Sequence, residues 1–176
     1  MGCYANHLAL AILKLLSEKP LSGDAVVDVS NIIAVVETTM DGTSGALYAI
    51  FLNALAHALR LLSPGTADAQ VWAGALRQSC DALARYTPAR PGDRTLVDAL
   101  EPFVRTLSKT GSLKEAADAA KFGADGTKGM KASLGRSVYV GGSGFEEVPD
   151  PGAWGLAVFF LGLAGEKPTE EGWESI

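Results

Sequence analysis

Apolar residues recur along this chain at the three- and four-residue spacing of an α-helix almost from end to end. No segment sustains the period-two alternation of β-branched residues that a half-buried strand shows. The pattern argues against a sheet and predicts an all-α fold. Seven helices are expected, near 4–18, 25–39, 44–62, 67–86, 94–109, 113–134 and 152–165. Turn residues separate them: Pro20 with Ser22-Gly23-Asp24, Asp41-Gly42, Ser63-Pro64-Gly65, Pro88 through Asp93, Gly111-Ser112, and the long run from Gly141 to Pro151. Short connections between long helices imply antiparallel neighbours, hence an up-and-down bundle.

Two of these helices depart from a plain amphipathic pattern. The third, SGALYAIFLNALAHALRLL, is apolar nearly all round, as a helix enclosed by others must be, so it is expected at the centre. The sixth carries Gly123, Gly126 and Gly129. Each costs about 1 kcal/mol against alanine in a helix interior, so either a close neighbour offsets that cost or the helix breaks near Asp125-Gly126. The loop from Gly141 to Pro151 is long enough to be a binding loop or a plain linker. The segment 167–176 is acidic and unpatterned and reads as a flexible tail, leaving 1–166 as one domain.

Composition narrows the partners. The 176 residues are 48% hydrophobic and carry a net charge of −5 with no basic cluster, which weighs against a nucleic-acid footprint. Two cysteines, Cys3 and Cys80, form neither a disulfide framework nor a ligand set, and a reducing, cytoplasmic setting is expected. The N-terminal stretch lacks the basic start of a signal peptide, and Asn6 stands where a myristoylation pattern requires Ser or Thr. No stretch is read as reaching the ~18 uncharged apolar residues of a membrane span, so no membrane association is expected.

Most catalytic constellations are missing. His7 and His57 have no Cys or carboxylate at ligand spacing and read as packed or surface histidines, and no metal site is assigned. Glu146-Glu147 reads as a solvated acidic pair. Gly42-Thr43-Ser44-Gly45 opens the apolar third helix, and a glycine turn at a helix start exposes backbone N–H groups backed by the helix dipole. Such a turn suits a phosphate, but it equally suits a plain N-cap supplied by Thr43 or Ser44. It is not a P-loop, because Ala46 follows where a lysine would stand. Three further turns, Pro91-Gly92-Asp93-Arg94-Thr95, Gly135-Arg136-Ser137 and Asp150-Pro151-Gly152-Ala153, would make a phosphate-binding mouth if the bundle brought them to one end.

Taken in order, MDGTSGALYAIFLNAL, PGDRTLVDALEPF, GRSVYV and DPGA resemble the nucleotide-binding L domain of dihydroxyacetone kinases, over about Ala11 to Gly165. The resemblance implies an antiparallel helical barrel with ATP or ADP at one rim, here seven helices of a family pattern of eight. Thr43, Ser44 and Gly45 would then meet the phosphates, and Thr87, Thr95 and Leu96 would line the pocket. Arg136 would meet phosphate charge, and Asp150, Pro151 and Gly152 would close over base and ribose. The implied reaction is phosphoryl transfer from ATP to dihydroxyacetone held by a separate K-type domain, in trans or on a longer parent chain. No catalytic residue is assigned.

The resemblance has one gap. Family members hold Mg²⁺ with an acidic turn ahead of the helix that corresponds to 4–18, and Met1-Gly2-Cys3 contains no carboxylate. The family's first helix is likewise expected to be missing, an N-terminal truncation of the pattern. The alternatives to a kinase domain are a non-catalytic remnant that binds a protein partner and a regulatory subunit that keeps ADP as a fixed cofactor.

Overall fold

The computed structural model describes residues 2–62, 67–134 and 147–166, with the side chains of 2–6 excepted. Every regular element among the described residues is helical: α1 (Gly2–Glu18), α2 (Ala25–Thr39), α3 (Gly42–Leu62), α4 (Ala69–Leu83), α5 (Val97–Thr110), α6 (Leu113–Asp125) and α7 (Pro151–Leu163). They fall into two compact units, Met1–Thr87 and Pro88–Ile176.

In the first unit each helix packs on the next in sequence. Helix α2 starts where Asp24 accepts hydrogen bonds from the N–H groups of Val26 (2.9 Å) and Val27 (3.1 Å). It buries Ala25, Val29, Ile33 and Val36, a stripe at helical spacing. Asp28 turns back to accept from Ser22 and Gly23, and these bonds hold its carboxyl below the usual aspartate range. Only Met40 and Asp41 separate α2 from α3, so the two helices pack as an antiparallel pair.

Helix α3 does lie between two others, α2 and α4. Enclosure is partial: its buried residues are Gly45, Leu55, Ala56, Ala58 and Leu59, while Leu61 and Leu62 are exposed. The expectation that no stretch reaches a membrane span by length and apolarity needs correction, because the 21 residues of α3 do. In this fold only Leu55, Ala56, Ala58 and Leu59 of its C-terminal half are buried.

The second unit is built on a closer approach. Helices α5 and α6 are joined by Gly111, in the left-handed region at φ 66°, and by Ser112, whose hydroxyl caps α6 at Glu115 N–H. Helix α7 packs on both. The rings of Phe103 and Phe160 stack at 3.7 Å between α5 and α7. Around them the fully covered positions are largely alanine: Ala99, Ala116, Ala117, Ala120, Ala124, Ala153 and Ala157.

The sixth helix is shorter than the 113–134 expected, because it ends at Asp125. Gly126 continues as a turn, with its N–H bonded to Phe122 O at 3.0 Å, and Gly129 reaches φ 75°. Its three glycines therefore do different jobs. Gly126 and Gly129 belong to the break, and Gly123 marks a contact so close that a Cβ there would overlap the Asp98 carbonyl oxygen. Pro102 explains the contact. It has no N–H for the carbonyl four residues earlier, and its ring pushes that carbonyl off the helix axis toward α6.

Candidate functional site

The expected site residues fall in both units. Thr43, Ser44 and Gly45 form the first turn of α3 in the first unit, which ends at Thr87. Thr95, Leu96, Asp150, Pro151 and Gly152 belong to the second unit, and Arg136 lies outside the described residues.

At the start of α3 the chain runs extended through Met40 and turns at Gly42, whose φ of 70° lies in the left-handed region that glycine tolerates. Gly45 then packs against the Met40 peptide so tightly that a Cβ would sit 2.8 Å from Met40 C. The N-cap expectation can be checked at this turn. Helices α2, α4, α6 and α7 each have a side-chain cap, from Asp24, Asp68, Ser112 and Asp150. No described side chain accepts a hydrogen bond from the first-turn amides of α3, and Thr43 and Ser44 are both exposed. Thr43 and Ser44 thus lie exposed at the positive end of a 21-residue helix with uncapped amides, as an anion site requires, while Gly45 is buried. Thr87, which follows α4, is half-buried, with its N–H on Leu83 O at 3.3 Å.

In the second unit a network of buried polar groups ties three loop segments together. Asp98, near the start of α5, accepts from Gly92 N–H at 2.5 Å and from Thr95 N–H at 2.8 Å. Thr95 Oγ1 accepts from Val97 N–H at 3.3 Å, which completes a reciprocal capping arrangement. Arg94 is 1% exposed and adopts φ 58°, an uncommon conformation for a residue with a side chain. Its Nε donates to Thr127 O (3.3 Å) and its Nη2 to Val148 O (2.9 Å). Thr127 Oγ1 in turn accepts from Asp150 N–H at 2.7 Å, and Asp150 Oδ1 caps α7 at Ala153 N–H, 2.9 Å away. Leu96 sits beside bare Gly152, where a Cβ would lie 3.6 Å from its own Cβ. Thr95, Leu96, Asp150 and Gly152 are therefore brought together, and Pro151 starts α7 between the last two.

Asp98 and Thr127 were missed as candidates, and Arg94 was named only as part of the Pro91-to-Thr95 turn. Asp98 had a legible signal, since Thr95-Leu96-Val97-Asp98 has the spacing of a capping box. Arg94 had none, because a left-handed arginine folded into the interior looks in sequence like any loop cation. Asp93 is occupied locally: its carboxylate accepts from Arg90 N–H (2.7 Å) and Ser133 Oγ (2.9 Å), which lowers its pKa. Among the described residues no group of three or more His, Cys, Asp or Glu is placed to hold a metal ion.

Asp150 is 7% exposed, and burial raises its pKa, with Asp98 adding to the rise. The Ala153 and Gly152 N–H groups and the Arg94 charge oppose the shift without cancelling it. A raised carboxyl pKa stabilises the fold fully below the unfolded value and loses that contribution as pH rises through the folded value. Asp150→Asn keeps an acceptor for the cap and removes the buried charge. We expect it to raise the melting temperature at pH 7, with a gain that fades below about pH 4, where Asp150 is protonated in folded and unfolded chains alike. Thermal scans of both proteins across that range check this, and a variant less stable at pH 7 contradicts it.

Residues 2–165 match the DAK2 domain family. The chain is 44% identical over 164 residues to a dihydroxyacetone kinase of Komagataella pastoris, covering 87% of this chain and 27% of that protein. It is 32% identical over 170 residues to a triokinase/FMN cyclase of Rattus norvegicus, covering 92% of this chain and 28% of the relative. Among solved structures it is similar to the dihydroxyacetone kinase of C. freundii in native form, with a TM-score of 0.71 at 28% identity over 90% of this chain and 27% of that one. The same kinase in complex with AMP-PNP and Mg²⁺ superposes with a TM-score of 0.65. The chain spans about a quarter of the length of these relatives. The match runs through the uncapped α3 turn, the Arg94 network and the α7 cap alike, and on that evidence this chain belongs to the DAK2 domain family.

Proposed function

We propose that the chain is the ATP- and ADP-binding domain of a dihydroxyacetone kinase. The observation that carries this reading is the uncapped turn Gly42-Thr43-Ser44-Gly45 in a member of a family one of whose kinases is solved with AMP-PNP. Thr43, Ser44 and Gly45 would hold the phosphates with amides and hydroxyls, and Arg136 would add charge. Leu96 and Thr95 would line the base side, and Asp150-Pro151-Gly152 would close over base and ribose. Bound ATP supplies the γ-phosphoryl group. The domain would present it to dihydroxyacetone held by a K-type domain, in trans or on a longer parent chain, and would contribute positioning and charge neutralisation without a covalent nucleophile.

A second reading follows from the same resemblance. In it the domain retains ADP as a fixed cofactor, or keeps only the helical frame, and acts as a regulatory protein-interaction module.

Ser44→Pro tests the common core of the kinase and ADP-holding readings. Proline is tolerated in a first helical turn but removes one N–H. We expect calorimetry to show ADP binding to the chain and a loss of about tenfold or more in the variant, the order of one hydrogen bond to a charged group. Equal affinity in both proteins would place the phosphates elsewhere.

A further inference from the structure

We infer that Arg94 is a positioning residue for the base-side wall of the nucleotide pocket, an inference that rests on the nucleotide-binding reading above. The residues proposed to contact base and ribose sit on separate segments. Leu96 belongs to the turn before α5, and Asp150-Pro151-Gly152 to the start of α7. Arg94 joins the two segments directly. It lies two residues before Leu96, and its Nη2 holds Val148 O at 2.9 Å, two residues before Asp150. A second route runs through Thr127, whose carbonyl accepts from Arg94 Nε and whose hydroxyl accepts from Asp150 N–H at 2.7 Å.

The arginine is suited to this work and a lysine is not. A planar guanidinium reaches two carbonyls on different segments at fixed separation, whereas an ammonium is a single point with flexible reach. The burial of Arg94 keeps those bonds away from competing water, and its φ of 58° aims the side chain inward from a turn that would otherwise present it to solvent. Its place is thus set by backbone geometry, and through it the spacing of Leu96 from Gly152.

The test compares two nucleotides that differ only in the base. ADP and GDP affinities are measured by calorimetry on the whole chain for the wild type, Arg94→Lys, Thr127→Val and Thr127→Ser. A displaced base-side wall costs ADP affinity about tenfold, the order of one charge-assisted hydrogen bond, and brings the ratio of ADP to GDP affinity toward one. Thr127→Val, which keeps volume and loses the hydroxyl, shifts the ratio the same way, and Thr127→Ser restores it. If Arg94→Lys fails to fold, the valine and serine variants decide alone.

A wild type that binds ADP but does not distinguish it from GDP overturns the inference. So do variants that lose both affinities equally, or that bind ADP as the wild type does. In each of those cases nucleotide binding itself stands. A wild type that binds neither nucleotide overturns the nucleotide-binding reading and this inference with it.

Discussion

Gly45→Ala is expected to destabilise the chain by about 3 kcal/mol or more and to abolish the proposed ADP binding, the largest effect expected of a methyl added at Gly23, Gly42, Gly45 or Gly74 of the first unit. A Cβ there overlaps the Met40 carbonyl oxygen and lies 2.8 Å from its carbon, and a backbone peptide cannot swing aside as a side-chain end can. The strain falls on the peptide that joins α2 to α3, where Gly42 already occupies the left-handed region. Relief requires the first turn of α3 to open, which scatters the amides of Thr43 and Ser44. Denaturant titration and calorimetry read the two effects. Gly155→Ala is the control: nothing lies within 4 Å of the added carbon in α7, and alanine there should gain up to about 1 kcal/mol. Comparable stability of Gly45→Ala and the control would show that the Met40 contact is not as close as described.

Gly123→Ala is expected to cost a similar amount, about 3 kcal/mol or more, in the second unit. Its Cβ would overlap Asp98 O and lie 3.1 Å from both Asp98 C and Pro102 Cγ. Pro102→Ala in the same chain should recover part of the loss, because the restored N–H draws the Asp98 carbonyl back to its own helix and the pyrrolidine ring is gone. A double-mutant cycle measures this coupling, and strict additivity would refute it. The cost should also reach the site, since the Asp98 carboxylate organises Gly92 and Thr95.

Much of this was legible in the chain itself. Helix α2 is found at 25–39 as expected, because Asp24 caps it in the way its position suggests and Met40-Asp41-Gly42 ends it. The sixth helix was overextended by periodicity through residues where glycine geometry, not apolar spacing, decides. Helix α3 read as fully enclosed because composition reports how apolar a helix is and not how many neighbours cover it. The site divides similarly. Turns that use local backbone rules, such as Gly42-Gly45 and the Asp150 cap, are visible in sequence. The network through Arg94, Thr127 and Val148 is not, because its partners lie 33 and 54 residues away along the chain.

The alanine lining of the second unit has a consequence for how this sequence tolerates change. A leucine core fails in two directions, by cavities when side chains shrink and by crowding when they grow. At Ala116, Ala117, Ala120, Ala124, Ala153 and Ala157, only glycine is smaller, so nearly every random replacement adds volume where none is free. Saturation mutagenesis of this face would therefore give a one-sided profile, with serine and glycine surviving and every branched or aromatic residue removed. Natural drift would be confined to the same few letters, and homologues would keep these positions small even where their surfaces have diverged beyond recognition.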